Sequence, residues 1–279
     1  MRETSNPVFR SLPKQQGGYA QFGTGAAQMQ AYQANPYAPY QEAKASRPLT
    51  IDDVVTKTGI TLALLSTVAV VSYFITATNL ALALPLAMVG GIGGFILVMV
   101  ASFGRMQNNP AIVLSYAALE GLLLGTFSFL AAHFTVGGRA SHVNAGALIA
   151  EAILGTIGVF AGMLVVYKTG AIRVTPKFTR MLFAAMIGVL VLMIGNLIMG
   201  FFSHSAGPLR DGGPLAIIFS LVCIGIAAFT FLVDFDAADQ MIRAGAPEKA
   251  AWGIALGLTV TLVWLYVEIL QLLRYFQNN

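Results

Sequence analysis

Beyond residue 57 the chain is a succession of long apolar runs separated by short polar breaks, at 58–77, 82–103, 111–132, 145–167, 181–202, 214–233 and 250–273. Each run holds 20 to 24 residues. As a helix rising about 1.5 Å per residue, a run of that length crosses the roughly 30 Å of hydrocarbon in a bilayer. A soluble helix would turn a polar face outward every turn, and these runs do not. The pattern predicts an all-α integral membrane protein with seven transmembrane helices in one unit, residues 50–279.

Residues 1–49 have a different character. The stretch QQGGYAQFGTGAAQMQAYQANPYAPY has few branched aliphatic residues and no helical period, so it reads as a disordered cytoplasmic tail. No apolar run lies in the first 25 residues. The first membrane helix therefore serves as the uncleaved targeting signal, and the tail acts as a tether or recruits partners.

Composition agrees with a chain that lives in lipid: 57% of residues are hydrophobic and only 10% charged, against about 25% in an ordinary soluble domain. The net charge of +4 needs no nucleic acid to explain it. With the N-terminus inside, the inner segments carry six Lys and Arg up to Lys57, then Arg105, then Lys168, Arg173, Lys177 and Arg180, then Arg243 and Lys249. Only Arg139, Arg210 and Arg274 fall outside. The positive-inside rule thus predicts a cytoplasmic N-terminus and an external C-terminus, and the chain is expected as a multi-pass protein of the plasma membrane. The single cysteine, Cys223, sits within an apolar run and reads as a packing residue.

Small residues mark expected close approaches between helices: Gly121 and Gly125; Gly155, Gly158 and Gly162; and the stripe Gly253, Gly257, Thr261 on the last helix. That stripe, with Trp264, Tyr266 and Glu268, predicts a seventh helix surrounded by others. The cluster Gly90, Gly91, Gly93, Gly94 predicts close packing or a bend in the second helix.

Against this background the acids stand out. The seven runs contain only Glu120, Glu151 and Glu268, and Asp234 closes the sixth. A charge at the bilayer centre costs about 2.5–3.5 kcal/mol on insertion scales, so each is a candidate for ion or proton handling. Glu120, in SYAALEGLLLG, is either a relay group or a protonated carboxyl bonded to a neighbouring helix. Glu151 is either an ion-pathway acid or a solvated end-of-helix group. The segment FLVDFDAADQMI places Asp234, Asp236 and Asp239 at the inner face. Asp236 and Asp239 share a helical face, while Asp234 lies about 200° from Asp236 at about 100° per residue. Arg105 ends the second helix at the same depth. An Asp–Arg105 pair is expected there, with Asp236 as first candidate and Asp234 as second; the alternative is a set of exposed loop acids.

The ordered set YAALEGLLLG, AEAILGTIGVF, the aspartate-bearing end of the sixth run, and ALGL with LYVE in the seventh resembles the Bax inhibitor-1 family over about 51–276. The resemblance implies six helices around a central seventh and a pH-sensitive calcium leak, gated by acids on the sixth and seventh helices, one latched to an arginine of the second. Asp236 or Asp234 matches the sixth-helix acid, Arg105 the latch and Glu151 an acid at the start of the fourth helix. In the seventh helix an ungapped alignment of IALGL puts Thr261 at the acid's place, whereas aligning LYVE substitutes Glu268. Asp234, Asp236, Glu268 and Arg105 are thus the expected gating residues, and Glu120, Glu151, Asp239 and Thr261 the expected pathway.

Calcium takes six to eight oxygens, more than scattered carboxylates, Asn196 and hydroxyls provide, so transient passage is expected, with no tight metal site and no cofactor. No enzyme is expected. Lys249, the lysine nearest the last helix, lies outside it, which excludes a retinal receptor. His133, His142 and His204 lie at helix ends or loops, which excludes a metalloprotease motif. The rival readings are a small-solute transporter coupled to protons through Glu120 or Glu268, and a non-conducting regulator of a membrane protease or stress pathway.

Overall fold

The computed structural model describes residues 47–134, 144–203 and 206–278. The predicted tail through residue 46, with Arg139, His142 and His204, lies outside the described residues.

Seven long helices follow in order: α1 (Ile51–Thr78), α2 (Ala83–Phe103), α3 (Pro110–His133), α4 (Ala145–Thr169), α5 (Pro176–Ser203), α6 (Pro214–Arg243) and α7 (Ala250–Asn278). All seven are long and apolar enough to cross a membrane. The protein is an all-α membrane protein.

Local chemistry sets the boundaries. Thr50 and Asp53 form a capping box: the Asp53 amide donates to Thr50 Oγ1 at 3.3 Å and the Thr50 amide to Asp53 Oδ2 at 3.0 Å. This starts α1 seven residues before its apolar run. Asn109 and Asn144 cap α3 and α4, and prolines open α3, α5 and α6, where an absent N–H costs nothing. Helix α6 continues ten residues past its apolar run to Arg243, so Asp234, Asp236 and Asp239 lie on a helix and not in a loop.

Glycines decide how closely the first three helices pack. A methyl group on Gly90 would come within 2.6 Å of the Leu119 carbonyl, and one on Gly121 within 2.7 Å of the Leu65 carbonyl. Backbone therefore meets backbone across α2–α3 and α1–α3. Hydroxyls bind the second interface further: Ser72 donates to the Leu122 carbonyl at 2.8 Å and lies 3.0 Å from Thr126 Oγ1. The expectation for α4 holds only in part. Gly155 meets Ile269 of α7, but Gly158 and Gly162 face open space, so they mark no helix contact among the described residues.

Helix α7 is the hub. It packs against α1, α3, α4 and α6, while α2 leans chiefly on α3 and α5 on α6. The expected ring of six is thus four close neighbours with two outer helices. The main core lies where α4, α6 and α7 meet, with Phe160 edge-on to Phe231 and Phe235 and with Leu265 and Leu270 fully buried. At the end carrying the basic loops, Pro48 bridges Pro247, and the Leu49 amide donates to the Ala246 carbonyl at 2.8 Å. The segment entering α1 is thereby pinned to the α6–α7 turn.

Candidate functional site

Helix α7 carries buried polar side chains at two levels, Thr261 and Glu268, about 10 Å apart along its axis at 1.5 Å per residue. At the first, Gly257 has no side chain and lies one turn before Thr261, so α6 can present Asp234 to this face. A Cβ on Gly257 would lie 4.0 Å from Asp234 Oδ1, and Thr261 Oγ1 donates to Asp234 Oδ2 at 2.7 Å. The Gly257 carbonyl, 3.2 Å from the same hydroxyl, is the competing acceptor. The small-residue stripe therefore admits a carboxylate.

At the second level, Glu268 is 1% exposed, and Arg210 meets it with both arms of its guanidinium, Nη2 to Oε1 at 2.5 Å and Nη1 to Oε2 at 3.1 Å. This bidentate geometry is the strongest a carboxylate offers an arginine. The guanidinium carbon also stands 5.5 Å from the centre of the Phe219 ring. Arg210 comes from the α5–α6 connection, which buried Asn196 of α5 straps in place. Its Nδ2 donates to the Ala206 carbonyl and its Oδ1 accepts from the Leu209 amide, both at 2.9 Å. Gly207, at φ 76°, lies against that amide, where any side chain would collide with Asn196. Burial acts to lower the Arg210 pKa, but the hydrogen bonds and charge of Glu268 outweigh it, so the net direction is upward and the arginine stays charged.

A third acid, Glu120 of α3, is 8% exposed and faces α2. Its room is provided by Gly94, on which a methyl group would come within 2.8 Å of Oε1. Its Oε2 has no hydrogen-bond partner among the described residues.

The remaining expected residues do not converge. Arg105 sits in a left-handed turn after α2 (φ 53°), exposed, and makes no ion pair among the described residues. The structure does not bring it to Asp234 or Asp236, because α2 packs on α3, away from α6. Asp236 is instead held by Gln240 Nε2 at 2.6 Å, with the Tyr167 hydroxyl at 3.5 Å. Asp239 pairs with Arg243 one turn on, at 2.8 Å. Glu151 is exposed on α4, with Gln277 Nε2 3.5 Å away. Among the described residues, no group of three His, Cys, Asp or Glu side chains is placed to hold a metal ion.

The sequence pattern of the Bax inhibitor 1 like family matches residues 6–278, nearly the whole chain. The chain belongs to that family. Two relatives, uncharacterized membrane proteins of Streptococcus pyogenes serotype M3 from strains MGAS315 and SSI-1, are each 30% identical over 193 residues. These alignments cover 66% of this chain and 71% of each relative. Of the two candidates for the sixth-helix acid, Asp234 contacts Thr261 and Asp236 does not, while Glu268 is paired with Arg210 of the α5–α6 connection. Sequence reasoning missed Arg210 as a partner and counted it only as an external cation. The available signal was physical: an acid that deep needs a cation, and few lie on that side of the membrane.

Proposed function

We propose that this Bax inhibitor 1 like protein is a pH-sensitive calcium leak of the plasma membrane, its N-terminus cytoplasmic and its C-terminus outside. The observation that carries the reading is the 2.7 Å bond from Thr261 to Asp234, in the middle of the bundle between α6 and α7. The resemblance places the gating acids on these same two helices. A hydrogen bond to a carboxylate is about twice as strong as one between neutral groups, so protonating Asp234 weakens the tie between the two helices. Lowering pH through the titration of Asp234 therefore changes the freedom of α6 against α7. With a threonine in place of a second acid, one carboxylate does the sensing at this level. Arg210 takes the latching role that the resemblance assigns to an arginine, but from the opposite end and toward Glu268.

The test is calcium flux in proteoliposomes across pH. Asp234→Asn flattens the profile, and Asp236→Asn leaves it unchanged. A profile identical to that of the unaltered protein in both variants overturns the sensor.

One observation favours a second reading, a non-conducting regulator of a membrane protease or another membrane protein. The Pro48–Pro247 bridge fixes where the N-terminal segment meets the bundle, which gives a bound partner a mechanical route to α6 and α7. Loss of cellular activity on deleting residues 1–46, with vesicle flux intact, supports that reading.

A further inference from the structure

Helices α1 and α4 do not pack closely on one another, and between them a cavity of about 450 Å³ opens sideways from the bundle. Val70 of α1 and Ile153 and Ile157 of α4 form its rim, and Leu124, Ser128 and Tyr266 stand at its back. We propose that this cavity is a binding site for one acyl chain of a membrane lipid, which enters laterally from the leaflet remote from the basic loops.

Three observations carry the assignment. The rim side chains are exposed on helices that span the membrane, so the mouth is continuous with the lipid-facing surface and opens onto hydrocarbon. The hydroxyls at the back are already used. Ser128 donates to the Leu124 carbonyl at 2.6 Å, which leaves Tyr266 to donate to Ser128 at 2.7 Å, and Thr156 donates to the Ala152 carbonyl at 2.8 Å. The protons of these three hydroxyls are thus committed within the chain and most of the remaining lining is apolar, which suits a hydrocarbon chain better than a buried water, which needs two to four polar partners. At about 10–12 Å across, a helix from a second copy would fill a volume of this size with about a single turn. A single flexible hydrocarbon chain fits.

Position names the leaflet. The cavity runs from Leu62, near the middle of α1, to Phe74 in its later part, and along residues 149–157 in the first half of α4, so most of it lies in the half remote from the basic loops. Tyr73, also on the lining, stands beside His133 at the end of α3, where an aromatic hydroxyl suits the level of lipid headgroups. An occupant would bear on Tyr266, two residues from Glu268.

The full chain is reconstituted in phosphatidylcholine vesicles containing a trace of phosphatidylcholine with a diazirine in its acyl chain, irradiated, and mapped by peptide mass spectrometry. The expected result is label concentrated on peptides bearing Val70, Leu124 and Ile153, above that on α5 peptides bearing Leu190 and Leu197, which are more exposed. Ile153→Trp and Val70→Trp, substitutions at exposed positions, reduce cavity labelling several-fold with the melting temperature kept. Label that simply follows exposure, highest on α5, overturns the proposal. So does unchanged cavity labelling in both tryptophan variants with intact melting. Efficient disulfide formation between copies carrying Ile153→Cys assigns the cleft to a second copy and overturns it equally.

Discussion

Replacing Glu268 with Gln is the sharpest perturbation of this bundle, because it removes charge and leaves shape almost intact. The variant leaves the guanidinium of Arg210, only 15% exposed at its side chain, facing a neutral amide. Removing one partner of a buried ion pair costs about 3–5 kcal/mol, since the other charge stays desolvated and unpaired. The small residual exposure of Arg210 puts the expectation at the lower end, about 3 kcal/mol. At about 2–4 °C per kcal/mol for a chain of this size, that is a fall of about 6–12 °C in Tm. Arg210→Met is expected to cost as much or more, because it strands the carboxylate. Removing both, as Arg210→Met with Glu268→Met, deletes two desolvation penalties with the pair and returns stability to near the starting value. Thermal unfolding in one detergent, read by the fluorescence of Trp252 and Trp264 and with the single Glu268→Met variant included, completes the double-mutant cycle. Strictly additive losses in the double variant, or no loss in either single one, refute the claim that the two charges hold each other in place.

Gly94→Val puts branched carbon against the Glu120 carboxyl and costs about 1–3 kcal/mol in the same melting assay; adding Glu120→Ala restores most of the loss. Asn196→Ala removes both ties to Ala206 and Leu209 and costs about 1–3 kcal/mol; the freed connection is cut faster by a protease added from the side that bears it. Glu248→Gln, which breaks only the exposed contacts with Arg47 (3.6 Å) and Lys57 (3.9 Å), shifts stability by less than about 1 kcal/mol, and a larger shift means these charges form a tighter network.

The pattern along the chain was enough for seven spans, a membrane setting and the family, because a bilayer imposes length and apolarity one helix at a time. It also singled out Glu120 and Glu268, since a carboxyl inside an apolar run is visible without any partner. Partnership was not visible. Asp236 and Arg105 lie at the same expected depth, yet depth is one coordinate of three. Only the packing of α2 on α3 and of α6 on α7 shows that Arg105 and Asp236 point elsewhere. The stripe Gly253, Gly257, Thr261 promised a contact without naming it; in the fold its first member receives the α2–α3 connection and its other two receive Asp234. Arg210 looked like an ordinary loop cation until Asn196, thirteen residues before Leu209, folded its connection back into the bundle. What each segment must be is set by its own solubility in lipid. Which charge meets which is set by how the helices turn about α7, and that depends on every interface at once.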